Sequence, residues 1–457
     1  MHEECGIFAI ACNDKAAFNC ALGLHALQHR GQESFGIVTN DNQNFFSLHI
    51  HGQVNSIFDN MEEVEKLHGR YAIGHVRYST SGDKSTIQPI VSDCRSGKMA
   101  IAHNGNLTNA TNLAAELTKK GCVFKSSVDT EVISHLIKIS NKETFLDNLV
   151  DALNQVKGAY SFVAMTMDEI VGLRDPAGIR PLVLGKTDDA YVLTSETCAL
   201  DIIGASLIRE LEAGEVITIS KDGKLKSLFP FVREKSSFCI FEYIYFSRPD
   251  SVIENQSVYE VRKEIGSVLA QESPPPQDAD MIVPVPDSGI PAAIGYANQS
   301  GLPLEFGIIR NHYIGRTFIQ PTEQIRNIGV RLKHNTNNHI LKNKSIVLID
   351  DSIVRGTTLK KIVFLLLNAG VKEIHLRISS PPIKHSCFYG IDTPQCEKLM
   401  ANNFSVEEMI KIMDVSSLSF LSIEGLYRAV KKIKRNDGSP QYCDACFTGN
   451  YPIDINN

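Results

Sequence analysis

The sequence contains no run of about eighteen apolar residues, and its first ten residues, MHEECGIFAI, carry neither a basic n-region nor a small-residue cleavage site. That excludes a membrane-spanning helix and a secretory leader, so the expectation is a soluble, cytoplasmic protein. Positive charge is also scarce: 46 Lys and Arg face 52 Asp and Glu, a formal net charge of −6. Without a positive field, nucleic acid is a poor partner, and an anionic substrate has to be held by a local cradle of backbone amides and basic side chains. A paired set of cysteines is missing as well. The eleven present are scattered over 457 residues, which argues against a disulfide framework and leaves thiolate chemistry or metal ligation. Internal repeats and low-complexity tracts are absent. What is present, 43% apolar and 21% charged residues, is enough to bury more than one core, and two domains are expected at this length.

Short β-type runs fill the first half, CGIFAIAC, RYAIGHVRYS, KMAIAHNGNL and YSFVAMTM, with helical patterns between them, which predicts an α+β domain built on sheets. The text turns polar and basic around Asp222 to Lys235, and the boundary is placed there, with domains at 5–230 and 231–457. Beyond it, strand and helix alternate. MIVPVP is followed by a DSG loop, a helix opening at Pro291 and closing near Gly301, and the run LEFGII. SIVLID is followed by DSIVRGTT, a helix with Leu359, Ile362, Val363, Leu366 and Leu367 on one face, Gly370, and the strand EIHLRIS. That is a βαβ unit, hence a parallel sheet. QESPPPQDAD reads as a surface connection.

A strand ending in Asp350 and Asp351 puts two carboxylates at the carboxyl edge of a parallel sheet, where ligands bind. Ser352, Arg355, Gly356, Thr357 and Thr358 then run into a helix N-terminus, which favours phosphate. The threonine hydroxyls add donors and are expected to cap the helix as well. Two acids beside a phosphate cradle repel a simple phosphate ester, but they suit a hydroxylated sugar carrying pyrophosphate and Mg²⁺. The string VLIDDSIVRGTT resembles the signature of phosphoribosyltransferases that use phosphoribosyl pyrophosphate. The resemblance implies that Asp350 and Asp351 hold the ribose and its magnesium, and that the Arg355–Thr358 loop takes the 5′-phosphate. It further implies a pyrophosphate loop at Asp287 and Ser288, with Ser288 near Mg²⁺. Arg310, Tyr313 and Arg316 then belong to a basic lid that closes over pyrophosphate; a solvated basic turn is the alternative.

Cys5 directly precedes Gly6 and an apolar run, a context that also suits a buried strand thiol. Together with LQHRGQES, GHVRYST, AHNGNL and SSVDTE, it resembles the glutaminase domain of the N-terminal-nucleophile hydrolases, an αββα sandwich. The resemblance implies that residues 1–4, MHEE, are a propeptide. Once they are removed, the Cys5 α-amine acts as base for its own thiol. Charge then suggests partners for glutamine: Arg77 for the α-carboxylate, Asp129 for the ammonium, and Asn104 with the Gly105 backbone N–H for the oxyanion. Arg30 and Gly31 are expected near the nucleophile. The alternatives are a surface charge for Arg77, an N-cap for Asp129, and a hairpin turn for Asn104 and Gly105.

Both halves in one chain, with EYIYFSRPDS, RTFIQP and SSPPI, resemble the amidophosphoribosyltransferase family. Such an enzyme passes ammonia from glutamine to phosphoribosyl pyrophosphate, opening purine synthesis on a type I phosphoribosyltransferase fold. The resemblance also implies a homotetramer inhibited by purine nucleotides. A hexosamine-forming amidotransferase would share the first half but lack VLIDDSIVRGTT. Cys443 and Cys446 form a CxxC, with Cys239 and Cys387 far upstream; on spacing alone zinc is one reading. In the family's iron–sulfur branch, cysteines stand in the contexts SSFCIFEYIYFSRP, HSCFYGID and YCDACFTGNYP. This resemblance implies one [4Fe–4S] cluster on all four, tying the C-terminal segment to the second domain.

Overall fold

The computed structural model describes residues 5–77, 86–232, 234–311, 334–431, 435–436 and 440–455. Residues 1–4, Tyr313 and Arg316 lie outside the described residues. Strand β1 (Gly6–Ala11) is buried along its whole length. Phe8 and Ile10 face a core beneath helix α1 (Ala16–Ala26), whereas Ile7, Ala9 and Ala11 face a second sheet. Burial on both faces is why this strand reads as a nearly continuous apolar run. β1 lies between β4 (Tyr71–Arg77) and Tyr191–Thr194 in a seven-stranded antiparallel sheet, with β2 (Ser34–Asn40) and β3 (Phe45–His51) completing one side.

A six-stranded antiparallel sheet packs on it, with β5 (Gly97–Leu107) beside β6 (Gly158–Met165). Ala100 and Ala102 of β5 and Val163 and Met165 of β6 fill the space between the sheets. The outer face of this second sheet is covered by α2 (Ala110–Lys119), α3 (Asp129–Ile139) and α4 (Phe145–Leu153), through Leu113, Ile133 and Leu149 among others. The order helix, sheet, sheet, helix is the expected αββα sandwich.

In the second half, α5 (Val258–Glu272) leads through the Ser273–Asp280 connection to β7 (Met281–Pro284) and α6 (Ile290–Ser300), which ends on left-handed Gly301 as its sequence suggests. β8 (Ser345–Asp350), α7 (Thr357–Asn368), β9 (Glu373–Ile378) and β10 (Ser417–Phe420) follow. The four strands form a parallel sheet in the order β7, β8, β9, β10. Leu304 adds a lone parallel bridge to Ile282 on the far side of β7. The sheet therefore reverses direction between β7 and β8, and such a switch point opens a crevice at the strands' carboxyl ends.

The halves meet across buried charge. Arg30 and Arg180 from the first half, with Glu242 from the second and Glu196 between them, are at most 1% exposed. The Arg30 guanidinium donates to Glu242 at 2.6 Å, to Ser247 at 3.1 Å and to Glu196. Arg180 pairs with Glu242 at 2.9 Å, and both guanidiniums lie over the Phe246 ring. Glu196 also accepts from Ser251 at 2.6 Å and from the Arg248 backbone at 2.9 Å. Two arginines balance two glutamates, so the burial penalty of each charge is offset only while its partners remain.

Burial raises the Glu196 carboxyl, but Arg30 and then His29 outweigh it and hold it well below the usual range. Glu196→Gln is expected to lower the unfolding free energy by about 3–5 kcal/mol near neutral pH. A depressed folded value contributes its full stability above the ordinary glutamate range and loses it as pH falls towards the folded value. Urea denaturation of wild type and variant should therefore differ most near neutrality and converge in acid.

Candidate active sites and the cysteine pocket

β1 runs antiparallel to β4, with Gly6 opposite Val76, so Cys5 extends the strand to the level of Arg77. Arg77 is not a surface charge: it is 6% exposed, and its guanidinium donates to the Thr86 carbonyl. Gly31 lies tightly against it, since a Cβ there would come within 2.6 Å of the Arg77 nitrogen. Arg30 differs from the expectation. It is near the nucleophile in sequence and space, an added Gly6 Cβ standing 3.3 Å from its Cδ, but its guanidinium is consumed by Glu196 and Glu242. It holds the wall behind Gly6 and Cys5.

Asn104 and Gly105 do not form a hairpin turn; both lie in β5, opposite Ser161 and Tyr160. Gly105 has φ +146°, and a Cβ there would lie 1.9 Å from the Ala159 oxygen, so no other residue fits. Asn104 is fully buried, and neither atom of its carboxamide has a hydrogen-bond partner among the described residues. Leaving such a group unsatisfied costs roughly 1–3 kcal/mol, the signature of a group kept for a ligand. Asp129 is the first residue of α3 and does not cap it. Its carboxylate instead accepts from the Leu107 backbone at 3.2 Å and stands 3.5 Å from His103 Nε2. Burial raises this carboxyl, yet His103 and the Leu107 N–H outweigh it and leave it below the usual range.

At the switch point of the parallel sheet, the loop after β7 brings Asp287 and Ser288 out beside β8, and the Asp287 carboxylate pairs with Arg310. Asp350 and Asp351 end β8 at 8% and 6% exposure. The Asp351 N–H donates to Asp350 at 2.9 Å, and Ser352 donates to Asp351. Burial, and then Asp351, push the Asp350 carboxyl well above its usual range. Two such acids cannot both ionise here without a cation. The cap of α7 is Gly356 in the left-handed region at φ +71°, with no side-chain cap bond, so the threonines do not cap as expected. Any side chain at Gly356 would strike Met400 Sδ at 2.5 Å and Met413 at 2.6 Å. Arg355, Thr357 and Thr358 are exposed at the helix N-terminus, free to face an anion.

The four distant cysteines converge. Phe238–Cys239 pairs in parallel with Tyr442–Cys443, placing Cys239 opposite Cys443. Cys446 holds the Lys384 and His385 backbone N–H groups through its carbonyl at 3.0 Å each, and Cys387 Sγ accepts from the Tyr389 N–H at 3.4 Å. With Phe241, Tyr389, Ile391 and Tyr451 they line one apolar pocket. Burial pushes the Cys239 thiol up to about 12, and burial with the neighbouring sulfurs pushes Cys443 and Cys446 well above the usual range. Thiolates there require iron or another cation.

The sequence reading did not single out Glu196, Arg180, Glu242 or His103. His103 is inside AHNGNL and could have been found there; the other three lie outside every quoted glutaminase string except Glu242, which sits in EYIYFSRPDS. Nor did it single out His75, in GHVRYST, which is fully buried with both ring nitrogens unpartnered among the described residues. Burial, then His103 and Arg77, push its imidazole well below the usual range, so it stays neutral.

The chain matches the family model of the glutamine amidotransferase domain over residues 75–201 and that of the phosphoribosyl transferase domain over 255–380. It is 50% identical to the amidophosphoribosyltransferase of Rhizobium etli, covering 99% of this chain and 92% of that one. It is 46% identical to the Bacillus subtilis amidophosphoribosyltransferase, covering 100% and 95% respectively. The solved B. subtilis glutamine phosphoribosylpyrophosphate amidotransferase, complexed with ADP and GMP, superposes with a TM-score of 0.92 at 46% identity, covering 98% of both chains. With both half-sites present and relatives of this identity along nearly its whole length, the chain belongs to the amidophosphoribosyltransferase family, which joins glutamine-derived ammonia to 5-phosphoribosyl 1-pyrophosphate in purine biosynthesis.

Proposed function

We propose that Cys5, freed by removal of residues 1–4, is the nucleophile of the glutaminase half-reaction. The observation that carries this reading is the buried, unpartnered carboxamide of Asn104 in β5. The thiol proton passes to the Cys5 α-amine as sulfur attacks the glutamine carboxamide carbon. Asn104 Nδ2 and the Gly105 N–H take the oxyanion. Collapse of the intermediate releases ammonia and leaves a thioester, which water hydrolyses to glutamate. Arg77 holds the substrate carboxylate and Asp129 its ammonium; Arg30 positions Gly6 and Cys5 from behind.

In the second half, the Arg355–Thr358 loop holds the 5′-phosphate, and Asp350 and Asp351 face the ribose hydroxyls. Asp287, Ser288, Arg310, Tyr313 and Arg316 surround the pyrophosphate. Ammonia forms the new bond at C1 of the ribose as pyrophosphate leaves, and the closed site keeps water from the activated sugar. Ser288, Asp350 and Asp351 would hold Mg²⁺, which when bound neutralises leaving-group charge. Cys239, Cys387, Cys443 and Cys446 would hold a [4Fe–4S] cluster with a structural role. No helix among the described residues is long and apolar enough to cross a membrane, and we place the enzyme in the cytoplasm. A homotetramer is the assembly the resemblance implies. Regulation by purine nucleotides is supported by the ADP and GMP in the B. subtilis complex.

Cys5→Ala should abolish glutamine-dependent turnover. Asn104→Leu should reduce glutamine hydrolysis by about 10²–10³-fold, the usual effect of losing one oxyanion donor, while its melting temperature holds or rises because an orphaned amide is gone. A melting temperature that falls along with activity would make Asn104 structural. Asp350→Asn is expected to abolish phosphoribosyl turnover and spare basal glutamine hydrolysis; equal loss of both would merge the sites. Elemental analysis of anaerobically purified protein should give about four irons per chain, and zinc without iron would remove the cluster.

A further inference from the structure

On the amino edge of the parallel sheet, remote from the acids at its carboxyl edge, a third group of polar side chains converges. Glu373 opens β9, and His375 follows two residues later on the same face. Asp278 approaches from an exposed turn of the α5–β7 connection, closed by an Ala279 N–H to Pro276 carbonyl bond of 3.1 Å. One ligand atom from each of Asp278, Glu373 and His375 falls within 4.8 Å of the other two.

Clustered acids alone are common on protein surfaces; His375 makes this cluster different. It is 94% buried, being 6% exposed, and its Nε2 has no hydrogen-bond partner. That nitrogen stands 3.5 Å from Glu373 Oε2, at the far limit of a hydrogen bond. The other nitrogen, Nδ1, is engaged with Ser417 Oγ at 3.0 Å, from the residue directly opposite on β10. Ser417 Oγ also accepts from Arg377 at 3.0 Å, so it can take the Nδ1 proton on a second lone pair. The Nε2 lone pair then points at two carboxylates, an arrangement that is repulsive without a cation. Fixing one ring nitrogen to aim the other is how metal-binding histidines are oriented.

The surrounding cations leave the position open. Lys372 pairs with the other Glu373 oxygen at 3.3 Å, and Lys344 is held by Asp280 at 2.9 Å. Besides Ser417, Arg377 donates to the Leu376 and Pro274 carbonyls. Ligand atoms on one tetrahedral zinc, at ~2.0–2.2 Å, stand about 3.4 Å apart. His375 and Glu373 already have that spacing, and Asp278, on its turn, is the arm that closes.

We propose that Asp278, Glu373 and His375 form a binding site for a divalent transition ion of the zinc class, which fastens the proline-rich connection between α5 and β7 to β9. One imidazole and two carboxylates select such an ion over Mg²⁺, which takes oxygen ligands and retains its waters. The site has no part in either half-reaction.

Cobalt(II), a spectroscopic stand-in for zinc, tests this on anaerobically purified full-length protein. With excess Mg²⁺ present to fill the site at Ser288, Asp350 and Asp351, the expected result is one cobalt per chain with the d–d absorption of nitrogen and oxygen ligands and a raised melting temperature. Asp278→Asn, at an exposed position that leaves the fold intact, should weaken binding at least about tenfold, and Asp350→Asn should leave it unchanged. A proton on Nε2, donated to Glu373, is the competing explanation and predicts no cobalt uptake. That result, an Asp278→Asn variant binding like wild type, loss confined to Asp350→Asn, or a spectrum dominated by thiolate charge transfer would each overturn the proposal.

Discussion

The structure depends on one buried, charge-balanced cluster, that of Arg30, Arg180, Glu196 and Glu242. Each member is sealed from water, so none can lose its partners without leaving an unpaired charge in a medium that punishes it. Three of these residues, Arg30, Arg180 and Glu196, lie on the glutaminase side, and Glu242 opens the second half. The first sheet, the junction and the start of the second half must therefore form together. Hydrophobic contact reinforces the same seam: Ala177 and Ile179 share a core with Phe238, Tyr243 and Phe246.

Around that rigid base, the places suited to ligands are the places left unsatisfied. Asn104 has a buried amide without partners, Asp350 and Asp351 crowd negative charge into one spot, and Cys239, Cys443 and Cys446 face a pocket that disfavours their ionised form. Each arrangement opposes folding slightly and becomes favourable when the matching group arrives. Local frustration of this kind marks function more reliably than any pocket's size.

The same contrast explains what the sequence revealed. β8 and α7 were legible because a buried parallel strand is a continuous apolar run and a covering helix shows its face every three or four residues; Leu359, Ile362, Val363 and Leu366 do both. The acids and phosphate loop followed from position at the strand's end. Asn104 and Gly105 fell inside the β-type run KMAIAHNGNL, with a hairpin turn as the alternative because Asn-Gly is the usual hairpin pair; only the close approach of Ala159 reveals why glycine is needed. The seven-stranded sheet's order was hidden, since β1 pairs with Tyr191–Thr194, far along the chain. Arg30 was expected near the thiol, but its charge partners were not legible. Its partners, Glu196 and Glu242, are 166 and 212 residues away, and nothing local announces them.

A contiguous polar chain also leaves the junction for the second site. Arg30 donates to Ser247; the Ser247 and Tyr243 carbonyls accept from Arg262 at 2.7 Å each. Arg262 lies in α5, buried at 4% exposure, and burial lowers its guanidinium to about 10 even though Asp351, foremost among the nearby acids, pulls it up. Arg262 thus brings a buried positive charge into the neighbourhood of Asp351. Contiguity alone does not make a switch, because coupling requires an element with two arrangements that both sites bias. The links from Arg30 through Ser247 and Tyr243 to Arg262 form one buried hydrogen-bonded arrangement, so they serve as a fixed frame between the two half-sites.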